Sequence, residues 1–341
     1  MSVKNEKIIE KNKVKDLPVK EKRVKKPKVK KPQDKEPKFN KKAILFPGCV
    51  IKNRLPFLEK SARLVFNKLG VEIEDAPFVC CPDPCGVASI SEESWLILAA
   101  RNLTFGEEDN KVILSLCNGC SETLLRAKHV LKHDRKKLKE VKFILNSKRY
   151  YYRGKTEVAH FVKTLYKDIG VKKIKEIVED TWASNDEKKN PIEGLRIAVH
   201  PGCHYNKPSE VLRWDNPRDP KYQEKLIKAI GGIPVKYKEK TLCCGAGVTR
   251  TREDIGFEII RRKYNSAREA GAKIISVNCP ACFQQLESNQ RSVNKKFEES
   301  YMIPIFYITE LIAIAFGYTP AEIGLKFHSI GKKTFDIKVP T

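Results

Sequence analysis

Residues 242–247 read Leu242-Cys243-Cys244-Gly245-Ala246-Gly247, and residues 279–282 read Cys279-Pro280-Ala281-Cys282. With Pro201-Gly202-Cys203 upstream they form the pattern C-x39-C-C-x34-C-x-x-C. The first half carries the same pattern. Pro47-Gly48-Cys49, Cys80-Cys81 and Cys117-Asn118-Gly119-Cys120 are spaced C-x30-C-C-x35-C-x-x-C. Ten of the 11 cysteines therefore belong to two copies of one five-cysteine arrangement, and Cys85 stands outside both.

The chain around these motifs alternates short apolar strands with amphipathic helices. Strands are expected at 43–46, 71–74 and 111–116, and again at 195–199, 233–237 and 273–277. Helical spacing marks 55–69, where Leu58, Ala62, Val65, Phe66 and Leu69 share a face and Gly70 suits the C-terminal cap. Further helices are expected over about 92–105 and 221–230, over 252–270, and from each C-x-x-C onward. A closing apolar helix is expected over 304–317. Prolines 77, 82 and 84 hold Cys80-Cys81 in a turn. Residues 131–190 carry the least pattern. There, 158–165 and 174–178 suggest helical pieces, and 184–191 suggests a linker.

The fold class expected is α/β, with two pseudo-repeated cysteine-rich domains at 43–190 and 191–341. Each has a small parallel sheet flanked by helices, because alternating strands and helices imply parallel crossovers. Cys49, Cys117, Cys203 and Cys279 each follow a strand end, where ligands of such sheets gather. One site per half, built from three loops on one rim, is the economical reading.

Bulk properties narrow the chemistry. A chain of 341 residues allows about two domains. No stretch resembles a signal peptide or a membrane span, so a cytoplasmic location is expected, where thiols stay reduced. That favours metal binding over a disulfide framework. Residues 1–42 hold 17 Lys/Arg against 6 Asp/Glu, a net +11 of the chain's +25. This basic extension cannot bury enough apolar surface to offset its ordering entropy, and disorder is expected there. It is either a solvated tail or an arm for an acidic partner subunit or nucleic acid.

Thiolates are soft ligands, which leaves zinc and iron–sulfur clusters. Zinc closes with four ligands, whereas each set offers five. Adjacent cysteines point apart and suit a larger group with several irons. Four cysteines serve an ordinary four-iron cluster, so the fifth bridges, ligates an irregular cluster or stays free. A C-x-x-C at a helix start sets thiolates against backbone N–H groups. Cys85 reads as a buried small residue or a spare thiol.

Several local stretches match a known family: Phe46-Pro47-Gly48-Cys49, Cys80-Cys81-Pro82-Asp83-Pro84, Trp95-Leu96 with Ala99-Ala100-Arg101-Asn102-Leu103, Leu116-Cys117-Asn118-Gly119-Cys120, and 305–311. They resemble the CCG cysteine-rich domains. Over about 43–330 the chain resembles the B subunits of heterodisulfide reductase from methanogenic archaea. The resemblance implies two noncubane 4Fe-4S clusters. Cys49, Cys80, Cys81, Cys117 and Cys120 would hold one, and Cys203, Cys243, Cys244, Cys279 and Cys282 the other. It further implies an oxidoreductase acting on a sulfur group, reducing the coenzyme M–coenzyme B disulfide in a cleft shared by both clusters during methanogenesis. The reductase's flavin-containing subunit and its ferredoxin-like subunit would deliver the electrons.

The substrate so implied is anionic, which makes His204, Lys207 and Arg250 candidates for substrate binding, against their being ordinary surface charges. Gly245-x-Gly247 lacks the third glycine of a nucleotide loop, and suits close backbone approach instead. Two other functions stay open. One is a CCG electron-transfer subunit of another complex, in thiol-driven fumarate reduction or in lactate or glycolate oxidation. The other is a zinc-stabilised nucleic-acid-binding protein, which the five-cysteine sets argue against, so no nucleic-acid partner is expected.

Overall fold

The computed structural model describes residues 39–108, 110–183, 189–331 and 334–335. The basic extension, up to residue 38, and most of the expected linker at 184–191 lie outside the described residues.

The two sheets are each four-stranded and wholly parallel. The first comprises β1 (Lys42–Phe46), β2 (Ile73–Glu74), β3 (Lys111–Ser115) and β4 (Glu157–His160), in the order β2-β1-β3-β4. The second comprises β5 (Arg196–His200), β6 (Ile233–Val235), β7 (Ile274–Val277) and β8 (Ile305–Tyr307), in the order β6-β5-β7-β8. The central strands are short apolar runs buried on both faces, such as Ala43–Phe46, Val112–Ser115 and Ile274–Val277. That is the pattern of parallel sheets covered by helices on both sides. In this strand order the chain reverses direction of travel between β1 and β3, and again between β5 and β7. A crevice opens at such a switch point, beyond the carboxyl ends of the strands. Cys49 and Cys117 flank the first crevice, Cys203 and Cys279 the second.

The fourth strand of each sheet departs from the expected three. Residues 158–165 had helical spacing, yet Glu157–His160 pairs with β3, and helix begins only at Phe161. The apolar run 304–317 likewise divides into β8 and the helix Ile308–Ala315. In each case buried strand residues, Val158 to His160 in β4 and all of β8, run straight into a buried helix start, so the apolar run shows no change of period at the boundary. Side chains mark the boundary instead. His160 Nδ1 accepts from Val162 N–H at 3.2 Å, and the Glu310 carboxylate accepts from Tyr307 N–H at 2.8 Å. The charged stretch 133–137 is no plain connection either. Asp134 accepts from the N–H groups of Lys136 and Lys137 and caps the helix Arg135–Ser147.

Helix Pro56–Lys68 starts with proline at its first position and buries Leu58, Ala62, Val65 and Phe66. It packs against Ile308–Ala315, every residue of which is buried, and Ser61 and Thr309 hydroxyls meet at 2.8 Å between the two helices. One helix from each half thus fills a common core. Among the described residues no helix is long and apolar enough to cross a membrane.

Candidate metal centres

Each cysteine set is assembled by the same local devices. β1 ends at Phe46, and Pro47-Gly48 turns the chain so that Cys49 opens the helix Cys49–Arg54. Gly48 sits at φ 79°, ψ 165°, a region essentially reserved for glycine. A Cβ there would lie 2.7 Å from Cys120 Sγ. Gly202 repeats the conformation at φ 76°, ψ 156°, and its Cβ would fall 2.6 Å from Asn118 Nδ2 and 3.3 Å from Cys282 Sγ. Both glycines are therefore required by close approach, and both mark space kept against the thiols. Cys117 and Cys279 occupy the N-cap positions of helices Asn118–His133 and Pro280–Ser288. Cys120 and Cys282 follow in the first turns, where backbone N–H groups lack helical partners.

The double-cysteine turns are pinned by side chains. Asn102 accepts from Val79 N–H at 3.0 Å and donates to the Val79 and Cys80 carbonyls. Thr123 donates to Pro82 O at 3.0 Å. In the second half, Gly245 is left-handed at φ 87°, and its N–H points at Cys243 Sγ at 3.4 Å. The Sγ atoms of Cys49 and Cys80 lie 3.8 Å apart, and those of Cys203 and Cys243 lie 3.9 Å apart. Cys81 contacts Cys120, and Cys244 contacts Cys282. Thiols this close share protons. The neighbouring Cys120 and Cys80 thiols hold Cys81 below the ordinary thiol range, while Cys117 and Cys81, with burial, push Cys120 up.

All five cysteines of each set thus converge. The two sets also meet each other, because the thiols of Cys117 and Cys279 are neighbours. Asn118 holds the junction, donating to Pro201 O at 2.8 Å and Asn278 Oδ1 at 3.1 Å. Tyr307 adds hydrogen bonds from its hydroxyl to Leu116 O and Asn278 O. The inner cysteines are buried, Cys203 and Cys243 are half-buried, and Cys49 and Cys80 are exposed. A cavity of about 200 Å³ opens at Cys49 and Cys80, with Lys52 and Phe78 in its wall. A larger one of about 490 Å³ lies elsewhere, against Trp182, Asn190 and Lys228, and holds no cysteine.

Cys85 is exposed rather than buried, because the Pro82–Gly86 turn carries it away from the first set. Its Sγ lies 3.5 Å from His204 Nε2, and His204 Nδ1 lies 3.8 Å from the Glu122 carboxylate. Burial pushes Glu122 up to about 7, against the pull of Arg126 at 3.0 Å. His204 is thus drawn to the junction. Lys207 and Arg250 are exposed, and no contact joins either to a cysteine among the described residues.

Two further side chains reach the second set without having been singled out from the sequence. His200 is fully buried, and one ring nitrogen lies within 4.8 Å of both Cys244 and Cys282 Sγ. Burial lowers it to about 3, so the ring is neutral. Lys263 is fully buried as well, donates to Glu239 O, and lies in the field of Cys282, Cys244 and Cys243. The one available signal was the repeat itself, since His200 stands where the first half has Phe46.

Residues 43–125 and 197–287 each match the CCG family, described as a cysteine-rich domain. The B subunit of a heterodisulfide reductase of Methanosarcina acetivorans, described as ferredoxin/F420H2-dependent, is 34% identical over 301 residues, covering 87% of this chain and 97% of that protein. The chain belongs to the family of heterodisulfide reductase B subunits. The B subunit of the ferredoxin-dependent reductase of Methanosarcina mazei is 32% identical over the same shares. The family's similarity extends to an 8-methylmenaquinol:fumarate reductase membrane anchor subunit of Wolinella succinogenes, 26% identical over 85% of this chain and 97% of that one. A solved structure of a hypothetical protein from Helicobacter pylori shares the fold, with TM-score 0.65 and 17% identity. It aligns with 85% of this chain and 52% of its own.

Proposed function

We propose that this family member holds two iron–sulfur clusters, one per cysteine set, and is the subunit in which a heterodisulfide is reduced to two thiols. The observation that carries this reading is the junction. Two complete five-thiol sets face each other through Cys117 and Cys279, with their outer members open to solvent. The donors suit such a cluster. Ten soft ligands converge at two switch points, and glycines 48 and 202 keep Cβ atoms out of the space beside them.

In this reading Cys49, Cys80, Cys81, Cys117 and Cys120 hold one cluster, and Cys203, Cys243, Cys244, Cys279 and Cys282 the other, both noncubane 4Fe-4S. When bound, such clusters supply one-electron chemistry, and two of them match the two electrons that a disulfide takes up. The protein's own part is positional. The open rim of Cys49 and Cys80 admits the substrate, and its wall carries Lys52 together with Glu59 and Asp75. His204 comes from the second half and meets Cys85 and Glu122 of the first. Lys207 and Arg250 belong to the outer surface and attract an anion at longer range. The disulfide of coenzyme M and coenzyme B is the substrate proposed, with ferredoxin-like and flavin-containing subunits as the electron-delivering partners. The relationship to the Wolinella fumarate reductase protein favours a second reading, an electron relay without a disulfide site.

The test is anaerobic purification with iron, zinc and sulfide analysis, then turnover of the coenzyme M–coenzyme B disulfide with a reduced viologen. About eight irons per chain, with matching sulfide and turnover, are expected. The same iron without turnover would favour the relay, and zinc without iron would remove both readings.

A further inference from the structure

The two cysteine sets are built alike, but their surroundings are not. Phe46 and His200 precede the same Pro-Gly-Cys turn in the two halves, at the last residue of β1 and of β5. Phe46 packs against Phe78 with ring centroids 4.6 Å apart and offers no polar atom. His200 is 0% exposed, and neither ring nitrogen has a hydrogen-bond partner among the described residues, although the Lys240 carbonyl approaches the ring. Buried polar groups are nearly always paired, so a fully buried imidazole with both nitrogens idle needs a partner. One nitrogen points to where that partner belongs, within 4.8 Å of Cys244 and Cys282 Sγ.

We propose that His200 donates its ring N–H to the group held by the second cysteine set, and that it makes this set the stronger electron acceptor of the two. The inference rests on the reading that each set holds an iron–sulfur cluster. A neutral imidazole that donates its N–H to sulfur withdraws electron density from the site, which favours the reduced state. Charge nearby acts in the same direction. The buried ammonium of Lys263 lies in the field of Cys244 and Cys282, whereas the carboxylate of Asp83 acts on Cys81 in the first set. An electron shared between the sets therefore rests on the second. The first is the weaker acceptor.

The experiment uses the intact, cluster-loaded protein and two readouts besides turnover. Pulsed electron paramagnetic resonance on protein labelled with ¹⁵N-histidine should show a histidine nitrogen coupled to one reduced cluster. A weak coupling marks a hydrogen bond to sulfur and is the expected result, whereas a strong coupling marks a bond to iron and would overturn the proposal. In His200→Phe, which copies the first half, that coupling should vanish. In a redox titration its upper midpoint potential should fall toward the lower, with the lower one unchanged. Coupling that survives the substitution would assign the nitrogen to another ring, such as the buried His160, and overturn the proposal. Unchanged midpoints would overturn it as well. Should His200→Phe fail to load, the wild-type spectrum still decides, since absence of any histidine coupling refutes the donor role. Wild-type protein without iron would instead refute the cluster reading itself.

Discussion

At the scale of single residues, the site depends on what is missing as much as on the thiols. Gly48 and Gly202 hold a conformation that costs other residues about 1–3 kcal/mol, and each lies where a Cβ would press on the thiol region. Gly48→Ala is therefore expected to empty the first set and spare the second. Iron per chain should drop by about half, with the far-ultraviolet circular dichroism unchanged. Full iron retention would show that the turn is not part of the metal centre. Residue types alone placed all ten cysteines in two sets. They gave no sign that Cys85 faces His204, because that contact spans 119 positions and exists only once the halves have docked.

At the scale of elements, the segment after the helix Ile308–Ala315 returns over the second half and is clamped by His328. Its ring lies between the carboxylates of Glu287, on helix Pro280–Ser288, at 3.3 Å and Glu310, on helix Ile308–Ala315, at 2.9 Å. The faces of Phe57, Phe283 and Phe306 surround it. Burial opposes its charge, but the two carboxylates outweigh burial and push it up to about 10. A histidine raised above its ordinary value stabilises the fold fully below about pH 6.5, and that contribution is lost as pH rises through about 10. His328→Gln leaves two buried carboxylates uncompensated and is expected to cost about 3–5 kcal/mol at pH 7. The gap between variant and wild type should close above pH 10 in thermal melts. Parallel melting curves across that range would mean that the ring is not charged in the fold.

At the scale of the whole molecule, the halves are one cooperative structure. Helix Pro56–Lys68 of the first half packs on Ile308–Ala315 of the second, and the Tyr307 hydroxyl bonds a carbonyl from each half. Calorimetry of the protein should therefore give a single transition. Tyr307→Phe should lower it by about 1–3 kcal/mol, the cost of leaving buried carbonyls unsatisfied, with iron content unchanged. Two resolved transitions would show that the halves are stable separately.

The cysteine spacing, the paired Pro-Gly-Cys turns and the strand–helix alternation determined the fold class and the two sets, because local chemistry and short-range period suffice for both. They did not reveal the fourth strand of each sheet. β4 and β8 are buried on both faces and continue into buried helices, so their apolar runs carry no period of their own. Only the tertiary structure brought Cys117 against Cys279, His204 to Cys85 and His200 beside Cys244 and Cys282. Those contacts join residues far apart in the chain. Their partners are chosen by how the two sheets dock rather than by any neighbour in sequence.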